Sequence, residues 1–243
     1  MNVDGSNPRQ LAPRIIPKGH RQWSHDGTRI VFAAEVEGDA EIFSVELASG
    51  RLVRLTNSPG EDADPSWSPD DSRIAFSSTR DGNAEIYVMR ADGTHVRRLT
   101  RHAAGDGGPA WSPDGSRIAF GSTRDGDRDI YLIRLDDGTV ERLTIGAHAT
   151  NDGVRWSPDG SLMAVQTAER DNYDIQLVRM ADRKCTTVAG TPAYDGQFSW
   201  SSTGDQLAFI SGRDGFDAVY VTDLRGKAHR LTSTASLNPE WSP

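Results

Sequence analysis

Along residues 65–100, short apolar runs alternate with polar punctuation. Ile74-Ala75-Phe76 forms one run, Ile86 to Met89 a second and Val96 to Leu99 a third, with Pro65 to Ser68 ahead of them. Asp70-Asp71, Asp81-Gly82 and Asp92-Gly93 stand between the runs. Runs this short are strand-sized, and Asp-Gly between them marks hairpins, because glycine accepts the positive φ of a tight turn. The segment therefore predicts four antiparallel strands: A around Trp67, B over Ile-Ala-Phe, C over Ile-Tyr-Val-Met and D over Val-Arg-Arg-Leu-Thr.

The pattern then repeats. WSPDDSRIAFSSTRDGNAEIYVMRADGTHVRRLT, from Trp67, returns from Trp111 as WSPDGSRIAFGSTRDGDRDIYLIRLDDGTVERLT. Trp23, Trp67, Trp111, Trp156, Trp200 and Trp241 lie 44, 44, 45, 44 and 41 residues apart, and serine follows each one. A single four-stranded sheet cannot bury both of its faces, so such units must pack face to face, and a ring of them leaves only short edges. The expectation is an all-β propeller with strand A innermost. Its tryptophans are structural repeat residues packed between blades rather than a ligand platform.

Residues 1–243 read as one propeller domain. Blades start near Trp23, Trp67, Trp111, Trp156 and Trp200. Aligning MNVDGSNPRQLA with MRADGTHVRRLT places Met1 on Met89, so residues 1–22 supply an outer strand and the loop into the first strand A. At the other end, residues 238–243 repeat Asp64 to Pro69 and supply a closing inner strand. Five complete repeats plus a partial sixth blade, formed from the N- and C-terminal strands, are expected. Either the chain is a fragment whose start lies upstream, or the sixth blade is reduced; an open blade edge would favour self-association.

Charge narrows the partners. With 35 acidic and 27 basic side chains the net charge is −8, which disfavours nucleic acid. No apolar stretch approaches the ~20 residues of a membrane span. Cys185 has no second cysteine to pair with, and residues 1–22 carry Asp4, Arg9, Arg14 and Lys18 without an apolar leader core. Two compartments stay open: periplasmic if a signal peptide lies upstream, cytoplasmic if Met1 is the true start.

Five residues before the tryptophans stand Lys18, Asp62, Asp106, Asn151, Asp195 and Ser236. Asp62, Asp64, Asp106, Asn151, Asp152, Asp195 and Asn238 are the candidate partner-binding residues, a polar and mostly acidic rim on the loops leading into strand A. The competing reading is that these side chains cap turns. Arg80 with Glu85, Arg124 with Asp129 and Arg213 with Asp217 recur in several units. They are expected to be exposed hairpin pairs worth about 0.2 to 1 kcal/mol each. Asp125-Gly-Asp127-Arg-Asp129 imitates the start of a calcium loop, but Ile130 stands where glycine is needed.

No metal, cofactor or catalytic residue is assigned. The six histidines form no HExxH, and GxSxG, GxxxxGK and GxGxxG are absent. His25 for proline, Thr203-Gly204, Ile175-Gln176 and the glycine-free Arg170-Asp171-Asn172-Tyr173 depart from the repeat and are read as surface changes, with Asn172 suited to a left-handed turn.

The units WSPDGSRIAF, RDGNAEIYVM and ADGTHVRRLT resemble the WD-repeat-like propeller of the TolB family over essentially the whole chain. That resemblance implies a six-bladed propeller closed by a C-terminal segment similar to NPEWSP. It further implies a periplasmic scaffold that carries an additional N-terminal α/β domain and links a peptidoglycan-associated lipoprotein to the Tol envelope machinery. The expected function is thus a noncatalytic protein–protein interaction scaffold with an envelope lipoprotein-like partner. Two alternatives are the gate domain of a prolyl-oligopeptidase-type serine peptidase and a metal-dependent sugar-acid lyase with a histidine-bound metal in the channel.

Overall fold

A computed structural model describes residues 15–144, 148–169 and 172–232, without the side chains of residues 20 and 150–152. Residues 1–14, Ser236, Asn238, Trp241 and the closing strand expected at 238–243 lie outside the described residues, as does the sixth blade they were to form. The described residues make five four-stranded antiparallel sheets and no helix. Blade 1 holds β1 (Pro17–Trp23), β2 (Arg29–Val36), β3 (Asp39–Glu46) and β4 (Leu52–Arg54). Blade 2 holds β5 (Asp62–Trp67), β6 (Arg73–Ser78), β7 (Glu85–Arg90) and β8 (Arg97–Arg98). Blade 3 holds β9 (Asp106–Trp111), β10 (Arg117–Ser122), β11 (Asp129–Arg134) and β12 (Val140–Arg142). Blade 4 holds β13 (Ala149–Trp156), β14 (Leu162–Glu169), β15 (Asn172–Arg179) and β16 (Cys185–Ala189). Blade 5 holds β17 (Asp195–Trp200), β18 (Gln206–Ser211), β19 (Ala218–Asp223) and β20 (Ala228–Arg230). In every sheet the spatial order is A-B-C-D, as hairpin connections require.

Strand A starts earlier than the hydrophobic pattern suggests. Asp62, Asp106 and Asp195 are the first residues of β5, β9 and β17, not loop residues. Each of these strands carries a bulge, where pairing slips between Ala63 and Ser66, Gly107 and Ala110, and Gly196 and Ser199. Asp64, Gly108 and Gln197 sit in the bulges at φ of 52°, 64° and 48°. The extra residue turns the strand, so one side chain can enter the blade while the next ones line the centre.

The core lies between blades. Val31, Ala33, Ile42 and Leu55 of blade 1 pack against Trp67, Ile74, Phe76, Tyr87 and Met89 of blade 2. The same interlock joins blade 2 to 3 around Trp111, 3 to 4 around Trp156 and 4 to 5 around Trp200. Arg29 lies 4.5 Å over Trp67 and Arg73 4.6 Å over Trp111, whereas the indoles of Trp156 and Trp200 donate to the carbonyls of Ala110 and Arg155. Trp23, in the first blade of the described series, is 43% exposed, and the blade expected to pack against it lies outside the described residues.

In blades 1 to 4 the serine after the tryptophan ties the A–B turn. Ser24, Ser68, Ser112 and Ser157 each donate from Oγ to Oδ1 of Asp26, Asp70, Asp114 and Asp159, all at 2.6 Å. The same Oγ accepts from the backbone N–H of Arg29, Arg73, Arg117 and Leu162. These hydroxyls hold the carboxyls of Asp26 and Asp70 down to about 2.

Successive turns then stack around the ring. A Cβ on Gly115 would stand 3.4 Å from Pro69, and one on Gly160 3.6 Å from Pro113, so glycine and proline fit each other across blades. Between blades 1 and 2 both are replaced. Asp71, at φ 54°, accepts from the N–H groups of His25 and Asp26, each at 2.9 Å, and its Oδ1 lies 3.0 Å from His25 Nδ1. His25 has the N–H that proline lacks, so its substitution changes a contact between blades, not only a surface. Asn172 likewise differs from expectation: it opens β15 paired with Glu169 instead of adopting a left-handed turn.

Candidate functional site

The three aspartates expected on an exposed rim are inside the blades. Asp62 and Asp195 are 0% exposed and Asp106 1%. Asp62 Oδ2 takes Arg80 Nη2 at 2.8 Å, Asp106 takes Arg124 Nη2 on both oxygens at 2.8 and 2.7 Å, and Asp195 Oδ1 takes Arg213 Nη2 at 3.0 Å. Each arginine also donates from Nε to the last serine of strand B, Ser78, Ser122 or Ser211. Its guanidinium covers the Phe-Tyr pair behind it, with Arg124 4.7 Å from the Tyr131 ring centre. These carboxylates are buried and ion-paired within their blades and do not form an exposed acidic rim.

The recurrent charge pairs are therefore different from those expected. Arg80, Arg124 and Arg213 reach back to strand A instead of across their own hairpins to Glu85, Asp129 and Asp217. Glu85 pairs with Arg98 at 2.7 Å, Glu41 with Arg54 at 2.8 Å and Asp129 with Arg142, each acid held by strand D. Thr56, Thr100 and Thr144 donate to the same three acids. Burial pushes the Glu85 carboxyl up, but the Thr100 hydroxyl, the His102 N–H and Arg98 together outweigh it and hold it below the usual carboxylate range.

Asp129 is thus committed to Arg142 and Thr144, and Asp125 accepts the Tyr131 hydroxyl at 2.5 Å, so two acids of the calcium-like run already have partners. Among the described residues no group of three or more His, Cys, Asp or Glu is placed to hold a metal. Asn238 and the side chains of Asn151 and Asp152 lie outside the described residues.

A cavity of about 460 Å³ opens instead at the other rim, where the C-terminal halves of β1, β5, β9 and β13 meet the A–B turns. Pro65, Pro109, Pro69, Pro113 and Pro158 stiffen its wall, and the edges of Trp67, Trp111 and Trp156 line it. Beside Ser66, Ser112 and Ser157, its polar residues are Arg21, Gln22, His25, Asp64 and Arg155. Gln22 accepts the backbone N–H of Trp67 through Oε1 at 2.6 Å, and Asp64 accepts the Ser77 hydroxyl at 3.0 Å. Of the candidate partner-binding residues whose side chains are described, Asp64 is the one this cavity contains. Arg21, Gln22 and Arg155 were missed by sequence reasoning. The available signal was that the position just before the tryptophan changes from Gln22 to Ser66, Ala110 and Arg155 while its surroundings repeat.

Twisted four-stranded blades arranged around a wall of A strands define a β-propeller. The chain belongs to the TolB beta propeller domain family, whose model matches residues 1–154. Its structure superposes on TolB from Acinetobacter baumannii with a TM-score of 0.80 at 23% identity, covering 99% of this chain and 61% of that one. The chain thus spans less than two thirds of that TolB. A putative TolB from Agrobacterium tumefaciens gives 0.74 at 25% identity, covering 88% of this chain and 80% of that one. An oligogalacturonate lyase from Vibrio parahaemolyticus gives 0.69 at 18% identity, covering 87% and 67%, a likeness of fold alone. No curated protein matches the chain by sequence.

Proposed function

We propose that this propeller is a noncatalytic protein-binding module that receives its partner at the cavity on the A–B rim. The observation that carries the proposal is the combination at one opening of a stiff proline and tryptophan wall with Arg21, Gln22, Asp64 and Arg155. A concave apolar site with a few convergent polar groups is the usual form of a binding site. Three of the acids expected to meet a partner are bonded within their own blades, which supports a role for the cavity over the opposite rim. Family membership favours an envelope lipoprotein as the partner, which would make the module periplasmic.

The test is calorimetric titration with a purified peptidoglycan-associated lipoprotein of the same organism. Saturable binding is expected, weakened about tenfold by Arg21→Glu, a difference of about 1.4 kcal/mol. Arg21 is exposed on the cavity wall, so this change leaves the fold intact. Absence of binding, or binding indifferent to Arg21→Glu and to Arg155→Glu alike, would overturn the proposal.

A further inference from the structure

Blade 2 gathers three arginines where blade 3 answers its own with acids. Arg73, at the start of strand B, stands directly opposite Arg90, at the end of strand C. Arg97 of strand D stands opposite Val88, two residues before Arg90. Facing residues and alternate residues of a sheet share one side, so the three arginines extend the side that carries Ala75 and Val88. Those two pack with Trp111 of blade 3, and Arg73 lies over that same indole, so this side is turned toward blade 3. Like charges directly opposite one another destabilise a sheet. Blade 1, by contrast, places Glu46 opposite Arg29.

Blade 3 repeats the like-charged pair as Arg117 opposite Arg134 but offsets it. Its strand D carries Glu141 opposite Leu132, the place that Arg97 holds in blade 2. Glu141 lies 4.0 Å from Arg117 Nη1 and accepts Arg183 Nη2 of blade 4 at 2.6 Å, while Arg134 pairs with Asp136 at 2.7 Å. In blade 2 the charge at that position is reversed. Arg90 and Arg97 are exposed and Arg73 is half-buried, and among the described residues no carboxylate is bonded to any of the three guanidinium groups. Asp70, within reach of the Arg73 charge, accepts Ser68 and Ser72, and Asp92, within reach of Arg90, accepts the N–H and hydroxyl of Thr94. Across the boundary, Asp114 is held by Ser112 and Ser116, and Asp136 by Arg134. The patch lies within residues 65–142, all of them described.

We propose that Arg73, Arg90 and Arg97 form a docking patch for a glutamate or aspartate side chain of another polypeptide, which takes the place that Glu141 takes in blade 3. The acids of the surrounding turns, Asp70, Asp71, Asp92 and Asp136, decide the kind of partner. They repel an extended anionic surface, such as a nucleic-acid backbone or a layer of lipid headgroups, whereas a single carboxylate can lie between the guanidinium groups. The patch is on the A–B rim and does not depend on the cavity or on the partner proposed there.

The probe is a capped triglutamate peptide, titrated at low salt into the isotope-labelled full chain and followed by NMR at the Nε–H groups of Arg73, Arg90 and Arg97. Saturable shifts are expected, with binding about two- to fivefold weaker in Arg97→Gln, the worth of one exposed ion pair. They are expected to vanish in Arg97→Glu, where the chain supplies its own acid, and that variant is expected to melt at a higher temperature than the parent. Arg21→Glu, a change in the cavity, is expected to leave the shifts intact. Absence of saturation would overturn the proposal, as would equal shifts from capped triglutamine or from inorganic phosphate. So would a loss in Arg21→Glu equal to that in Arg97→Glu, tighter binding of phosphatidylglycerol vesicles than of the peptide, or an Arg97→Glu variant that melts no higher than the parent.

Discussion

Asp106 is a single carboxylate on which a blade closes. Its two oxygens hold Arg124, which in turn holds Ser122 and covers Phe120 and Tyr131, so one residue links strands A and B to the aromatic core. Removing one partner of a buried pair strands the other charge, and Asp106→Ala is expected to cost about 3 to 5 kcal/mol in urea unfolding. A loss under 1 kcal/mol, the value of a surface pair, would contradict this account. Charge reversal at Asp62, Asp106 or Asp195 is therefore expected to unfold the blade, not merely to weaken capture of a partner.

The turn aspartates respond to acid in a defined direction. The Asp26 and Asp70 carboxyls sit near 2 in the folded chain, below an ordinary value of 3.8. A group depressed by folding contributes stability above its unfolded value and loses it as pH falls through the folded one. Stability should therefore decline from about pH 4 toward pH 2, and the Asp70 part of that decline should shrink in Ser68→Ala. An NMR titration in which the Asp70 midpoint does not rise in Ser68→Ala would remove the serine from the explanation.

At the scale of elements, the blades communicate through their turns. His25 and Asp71 replace the proline and glycine that meet at other blade boundaries, and Asp71 takes the two N–H groups this exposes. His25→Pro should cost more in the parent than in an Asp71→Gly background, with a coupling of about 0.5 to 1.5 kcal/mol in a double-mutant cycle. Additivity would mean that the two departures are unrelated.

Strands B and C and the hairpins between them were legible because period-two alternation and Asp-Gly turns are local signals. The true starts of β5, β9 and β17 were not, since Asp62, Gly107 and Gly196 carry no apolar alternation and the bulges at Asp64, Gly108 and Gln197 break the register. The partners of Arg80, Arg124 and Arg213 depend on that register: each lies 18 residues from its acid in sequence and one strand away in space. Local pairing with Glu85, Asp129 and Asp217 was the nearer choice, and tertiary geometry overrode it.

At the scale of the molecule, the repeat determined the architecture while the candidate site depended on what does not repeat. Trp67, Trp111, Trp156 and Trp200 made the stacking of blades readable from spacing alone. Arg21, Gln22 and Arg155 looked like drift, and only the ring brings them to one cavity. Membership in the TolB beta propeller domain family establishes the fold and leaves the site to be argued from its own residues. The measurement that addresses the proposed function most directly is hydrogen–deuterium exchange of the full chain with and without the peptidoglycan-associated lipoprotein. The account predicts protection confined to residues 21–25, 64–69, 108–113 and 154–158, the wall of the cavity and its turns. Protection centred on the B–C hairpins at residues 79–84 and 123–128, or none at all, would contradict it.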